Sequence, residues 1–253
     1  ALFNIILPIG ISFYTFQSMS YTIDVYRKQI KPTKDLLLFS NYVIFFPQLV
    51  AGPILRANEI LWQLDTKPYY DPDLISRGIY RIMGGLALKV LLADNIAKIV
   101  NVAFDADPAY LSAIDVSTMA FLFGFQIYFD FAAYSHIALG TALLMGIKFP
   151  ENFNFPYSAS SPRDFWKRWH ISLSSWIRDY LYLPIMGVSP DNSSQGGIAE
   201  RIRVSNIKST TALFLTWAIM GLWHGANWTF VVWGLWHAIC IFIHRLLSTA
   251  IVR

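Results

Sequence analysis

From Ser209 to His244 the chain runs for 36 consecutive residues without an Asp, Glu, Lys or Arg. A helix crosses a bilayer with about 20 mostly apolar residues, so this stretch is long enough for two, and Gly221, Gly225 and Asn227 near its middle predict a tight turn between them. Composition points the same way: 55% of residues are hydrophobic and only 14% charged, against about 25% charged in soluble domains. Nine Trp and thirteen Tyr suit bilayer interfaces and the seams between spans. An ordinary soluble globule is excluded, and an all-α, polytopic membrane fold is the reading. The basic residues form no stripe, so nucleic acid is not an expected partner. With Cys240 the one cysteine, no internal disulfide is possible.

Further candidate spans precede this stretch. Ala1 to Ile23 carries no charge, nor does Leu36 to Leu55, although Pro47 and Gly52-Pro53 mark the latter as a broken or re-entrant helix. Ile79 to Phe104 is a weaker candidate with Arg81, Lys89, Asp94 and Lys98 inside it, and Val116 to Ile147 is interrupted by Asp130 and His136. Residues 148 to 208 hold eight of the twenty basic residues, and the piece from Gly187 to Asn206 reads as a polar loop. Residues 27 to 34 are basic too, whereas no Lys or Arg occurs from Ile99 to Ile147. Basic flanks mark the cytoplasmic side, and a multi-pass path with both basic regions inside is self-consistent. Residues 1 to 253 read as a single membrane domain, an internal piece of a longer protein.

The segment from Ser161 to Tyr182 predicts an amphipathic helix. Ser161 supplies an N-cap, Pro162 the first helical position and Asp164 an acid in the first turn. At 100° per residue, Phe165, Trp166, Trp169, His170, Leu173, Trp176, Ile177, Tyr180 and Leu181 share one arc of about 160°. Lys167, Arg168, Arg178 and Asp179 fall on the other side. Such a helix lies in the interface or floors a bundle. On this pattern alone, His170 reads most simply as a core histidine held by one hydrogen bond.

In Gly221 to Trp228, GLWHGANW, His224 sits among apolar and small residues. An ionisable residue at membrane depth is costly unless it faces a cavity or a partner, so a functional role is the default. There it is expected to be uncharged and able to accept a proton. The alternative is a histidine bridging two helices. His237 and His244 share a helix face, but no carboxylate or cysteine completes a ligand set, so no metal is expected. Asp130 and His136, flanked by Tyr128 and Tyr134, form a polar patch open to either a packing or a site role. The sequons at Asn192 and Asn227 read as chance, and P-loop, dinucleotide and G-x-S-x-G patterns are absent.

RDFWKRWHISLSSWIRDYLYLP at Arg163 to Pro184 and GLWHGANWTFVVWGLWH at Gly221 to His237 resemble the membrane-bound O-acyltransferase family. The likeness is to its bacterial alginate O-acetyltransferase-like branch, which is related to the D-alanyl transferase of teichoic acid modification. ISFYTFQSMSYTIDVYR at Ile11 to Arg27, FFPQLVAGPI at Phe45 to Ile54 and FQIYFDFAAYS at Phe125 to Ser135 match in colinear order. The resemblance implies a ring of tilted transmembrane and re-entrant helices around a central tunnel, with His224 as the intramembrane catalytic histidine and His170 as the second. Asp130, Tyr128, Trp166, Trp169, Trp223 and Asn227 are the accompanying candidates for substrate binding and tunnel lining. One departure stands out: where the branch carries Ser-Gly-Tyr-Ser-Asp, this chain has Ala132, Ala133, Tyr134, Ser135 and His136.

The activity so implied is transfer of an acyl group, acetyl in this branch, from a cytosolic thioester to hydroxyls of a cell-envelope polysaccharide. No tightly bound cofactor is expected, and acetyl-CoA or another acyl thioester is the donor. Envelope partner proteins and an inner-membrane location follow from the same likeness. The competing reading is a polytopic transporter or exporter with an intramembrane His and Asp pathway.

Overall fold

The computed structural model describes residues 10–66, 71–188 and 206–251. All regular structure among them is helical, and the chain folds as two units, Ala1–Asn152 and Phe153–Arg253.

The first unit comprises α1 (Ile11–Tyr26), α2 (Leu36–Ile44), α3 (Ala57–Asp65), α4 (Pro72–Ala87), a π-helical turn (Leu88–Ala93), α5 (Asp94–Asp105) and α6 (Ala113–Leu144). Local chemistry sets the boundaries. Asp35 Oδ1 accepts from the Leu37 and Leu38 N–H groups at 2.8 and 3.1 Å, and Asp71 does the same for α4 ahead of Pro72. Ser112 and Asp115 exchange reciprocal bonds at the start of α6. Its C-terminal end closes at Gly146, φ 75°, with Ile147 N–H donating to Ala142 O at 2.9 Å. The stretch from Leu36 breaks where expected, α2 ending at Ile44 before a run of turns over 46–52.

The core of this unit is Tyr42, Phe45, Leu55, Ala57, Ile60, Ala142 and Ile147. Fully buried Tyr42 sets its hydroxyl 3.0 Å from Leu55 O. The candidate span from Ile79 to Phe104 proves to be all but the first two turns of one longer helical rod over α4, the π turn and α5, all three packed on α6. Gly78 and Gly140 let α4 and α6 meet, since a Cβ on either would come within 2.8 Å of the other's carbonyl oxygen.

The second unit comprises α7 (Pro162–Phe165), α8 (Ile171–Ile177), a π-helical turn (Arg178–Tyr182), α9 (Leu183–Ile185), α10 (Asn206–His224) and α11 (Trp228–Ile251). The apolar stretch from Ser209 forms two helices with the turn at Gly225 to Asn227, as predicted. Gly234 and Gly221 make that hairpin tight: a Cβ on Gly234 would lie 2.2 Å from Trp217 O. The polar loop and the Asn192 sequon fall almost wholly outside the described residues. Among the described residues, two helices, Ala113–Leu144 and Trp228–Thr249, are long and apolar enough to cross a membrane.

The continuous helix expected from Ser161 to Tyr182 does not form. Ser161 caps α7 as anticipated, its Oγ accepting from Asp164 N–H at 3.1 Å, but the helix stops after Phe165. The carbonyls that should continue it are taken by other donors: Arg168 O by the Asn154 N–H at 2.9 Å and Trp169 O by the Ser174 hydroxyl at 3.1 Å. His170 then turns the chain with φ 43° and ψ 57°, a left-handed conformation uncommon outside glycine. Leu173, Trp176 and Ile177 are buried as the arc predicts, but Asp179, placed on the polar side, is buried too. It is clamped by Arg178, whose Nε and Nη2 donate to its two oxygens at 2.6 and 3.1 Å.

Candidate active site

The two histidines singled out from sequence lie in the second unit, in electrostatic reach of each other. His170 is 5% exposed, with Nδ1 3.5 Å from the Ser172 hydroxyl. Burial, and then the charge that His224 can carry, lower its pKa from 6.5 to about 3. Its imidazole is therefore neutral across the physiological range, with one N–H to donate and one lone pair to accept.

His224 is the last residue of α10 and is exposed, not enclosed as the apolar sequence around it suggested. The reason is its place: the helix ends there, and Ala226 and Asn227 in the following turn are exposed with it. The ring is nonetheless held on two sides by indoles, Trp223 at 4.7 Å between centroids and Trp233 at 5.0 Å and 81°. One histidine is thus shut inside the unit and the other opens outward.

Trp233 continues the contact to His237, 4.9 Å away. His237 also meets the edge of Trp166 at 5.0 Å and stacks on Trp217 at 5.4 Å and 29°. Trp166 and Trp217 close the cluster at 4.6 Å. Trp217, Trp233 and His237 were not anticipated as part of a site. The signal was present in the spacing, because Trp233 and His237 are four apart and share a helix face, and Gly221 and Gly234 allow the two helices to approach.

Of the other sequence candidates, Trp166 lies in this cluster with its indole nitrogen buried and without a hydrogen-bond partner among the described residues. Trp169 stacks on Phe165 at 5.6 Å and 17° and meets Phe153 edge-on. Trp223 flanks His224. Asn227 caps α11, its side-chain oxygen accepting from Thr229 N–H at 3.2 Å. A cavity of about 760 Å³ in the same unit is walled by Trp166 and Trp217, but neither His170 nor His224 lines it.

Asp130 and Tyr128 belong to the first unit. Asp130 Oδ1 lies 2.7 Å from Lys89 Nζ, which also reaches Asp94 at 2.8 Å. The half-buried Tyr128 has its ring against Phe129. His136, the departure from the branch pattern, takes up Arg81: Nη1 lies 3.0 Å from His136 Nδ1, and the same guanidinium pairs with Glu151. A guanidinium only donates, so Nδ1 accepts and the proton of this imidazole sits on Nε2. Among the described residues no group of three His, Cys, Asp or Glu is gathered as a metal site.

Comparison with known proteins agrees with the family resemblance. Residues 15–253 match the model of the MBOAT, membrane-bound O-acyltransferase family. A protein named "Probable alginate O-acetylase AlgI" from Azotobacter vinelandii is 42% identical over 249 residues, 96% of this chain and 46% of its own length. The peptidoglycan O-acetyltransferase of Helicobacter pylori is 36% identical, covering 98% of this chain and 49% of its own. The teichoic acid D-alanyltransferase of Bacillus subtilis is 33% identical, covering 93% and 58%. The chain spans about half the length of the curated relatives it matches. With a family model covering nearly all of it, including both histidine segments, the chain belongs to the membrane-bound O-acyltransferase family.

Proposed function

We propose that the protein carrying this chain is a multi-pass inner-membrane O-acyltransferase, moving an acetyl or related acyl group from a cytosolic thioester to hydroxyls of a cell-envelope polymer. Alginate, another exopolysaccharide, peptidoglycan and teichoic acid all present such hydroxyls. Acetyl-CoA or a carrier-borne thioester supplies the acyl group, and envelope proteins assist the acceptor. A ring of helices around a tunnel is the architecture that lets donor and acceptor meet from opposite sides.

The observation that carries this reading is the unequal pair: His170 buried and held neutral, His224 open at a helix end and braced by two indoles. A hydroxyl is a poor nucleophile near neutral pH. His224 takes its proton as the oxygen attacks the thioester carbonyl. The tetrahedral intermediate collapses, the C–S bond breaks, and the thiolate leaves with the proton that His224 returns. His170 offers its N–H to the oxyanion, where a donor in a dry setting contributes most.

Purified, reconstituted full-length protein with labelled acetyl thioester and a polysaccharide acceptor tests this. His224→Ala is expected to abolish ester formation while leaving membrane insertion intact. Near-normal acylation by that variant, or accumulation of intact substrate across sealed vesicles with no ester formed, would overturn the reading.

A further inference from the structure

A residue other than glycine stays in the left-handed region, where His170 sits at φ 43° and ψ 57°, only when its surroundings over-determine it. On the downstream side α8 does so: His170 O accepts from Ser174 N–H at 2.9 Å and Trp169 O from the Ser174 hydroxyl at 3.1 Å. On the upstream side no helix reaches the histidine, since α7 ends at Phe165. One residue there, Arg168, draws the neighbouring pieces of chain together.

Arg168 Nε donates to Asp164 Oδ2 at 3.0 Å. Its Nη1 lies 3.5 Å from both Asn154 O and Ser158 Oγ, and its own carbonyl accepts from Asn154 N–H at 2.9 Å. The turn it grips is tightly specified in its own right. Phe155 is left-handed, φ 45° and ψ 61°, and Ser158 closes on Phe155 O with its N–H at 3.0 Å and its hydroxyl at 2.8 Å. With its proton given to Phe155 O, the Ser158 oxygen is left to accept from Arg168. At the other end, the Arg168 guanidinium and then Ser160 N–H hold the Asp164 carboxyl below the usual carboxylate range, so it is charged at neutral pH. Trp169 packs beside this network, against Phe153 at 5.2 Å and 89° and Phe165 at 5.6 Å and 17°.

A partly exposed ion pair contributes little to stability by itself, and the Arg168 and Asp164 side chains are 31% and 27% exposed. This one differs from an ordinary surface pair in fastening α7 and the 154–158 turn to the backbone just before His170. From that arrangement we infer that Arg168 is a positioning residue for His170, a latch that holds the imidazole in its buried place and acts through the histidine rather than on the reactants. The consequence for catalysis rests on the acyltransferase reading above, in which His170 meets charge that develops only in the transition state. Loosening the latch then lowers kcat and spares donor KM.

Site-resolved labelling tests the latch apart from turnover. Full-length protein in detergent is treated with diethylpyrocarbonate, which modifies accessible imidazoles, and each histidine peptide is quantified by mass spectrometry. His170 in the parent protein is expected to react at least about tenfold more slowly than exposed His224. Arg168→Gln is expected to raise the His170 rate by about tenfold or more while His237 and His244 stay within about twofold, the pattern of a local opening. Arg168→Lys keeps a charge opposite Asp164 but lacks the planar fork that spans to the turn, and its His170 rate is expected to fall between the two. That variant carries the test if Arg168→Gln does not fold.

His170 as protected in the variants as in the parent, or all the histidines reacting faster together, would overturn the latch. Turnover of the same preparations separates it from the reading it rests on. A loss of about tenfold in kcat with donor KM within about twofold supports both. Opening of His170 with kcat unchanged leaves the latch standing and removes His170 from the acyltransferase mechanism instead.

Discussion

The Trp233 indole stands nearly perpendicular to the His224 imidazole, at 81° and 5.0 Å between centroids, and also meets His237 at 4.9 Å, Trp166 at 6.1 Å and Trp217 at 6.3 Å. One rigid ring therefore fixes the angle of the outward histidine against a packed aromatic cluster. Trp233→Leu is expected to lower kcat by about tenfold or more, because small misplacements of a reacting group are costly, while donor KM stays within about twofold. Trp233→Phe, which keeps an aromatic edge at that position, is expected to restore most of kcat. A KM effect of the same size as the kcat effect would contradict a positioning role.

The buried, neutral state of His170 makes stability depend on pH. Its pKa is lowered to about 3 in the fold, against an ordinary 6.5, so between these values the unfolded chain binds a proton that the folded ring refuses. Its contribution to stability is complete above pH 6.5 and falls as pH drops towards 3. Thermal unfolding of the solubilised protein between pH 7 and 4 should show this decline, and His170→Asn should reduce it. An unchanged slope in that variant would place the acid sensitivity elsewhere.

The backbone at His170 has its own cost. Asn tolerates φ 43° better than most residues, whereas Ala both loses the ring and strains the turn. His170→Ala should be less stable than His170→Asn by about 1 kcal/mol, while both lose acyl transfer. Comparison of unfolding midpoints checks the first expectation and an ester assay the second.

Gly234 faces Trp217 O so closely that a methyl group has no room. Gly234→Ala should push α11 away from α10 and destabilise the second unit by about 1–3 kcal/mol. It should also disturb the tryptophan fluorescence of the Trp166, Trp217 and Trp233 cluster. Native melting and an unaltered spectrum would count against the packing described.

Lys89, Asp94 and Asp130 have side chains 44%, 47% and 55% exposed. In detergent, a double-mutant cycle of Lys89→Met and Asp130→Asn is expected to give a coupling below about 1 kcal/mol. A coupling of about 3 kcal/mol or more would mean that the pair is desolvated.

Much of this architecture is legible in the residues. The charge-free run from Ser209 gave the α10–α11 hairpin and its turn, and Ser161, Pro162 and Asp164 marked the start of α7. The break at His170 was not legible, because helical periodicity continues through it; it coincides with the left-handed backbone at His170 and with the remote Asn154 N–H taking up Arg168 O. The exposure of His224 was hidden for a similar reason. Hydropathy averages over neighbours and is blind to a helix ending one residue before the turn. His136 stood out as a departure from a pattern, but only its contact with Arg81 reveals that it serves as an acceptor for a guanidinium.

The π turn at Leu88–Ala93 inserts one extra residue into a rod that otherwise advances about 100° per residue. Downstream of it, α5 is out of phase with α4 by about that angle, yet both pack on α6. The insertion works as a phase shifter, bringing a second set of side chains onto a seam that a straight helix would have left behind.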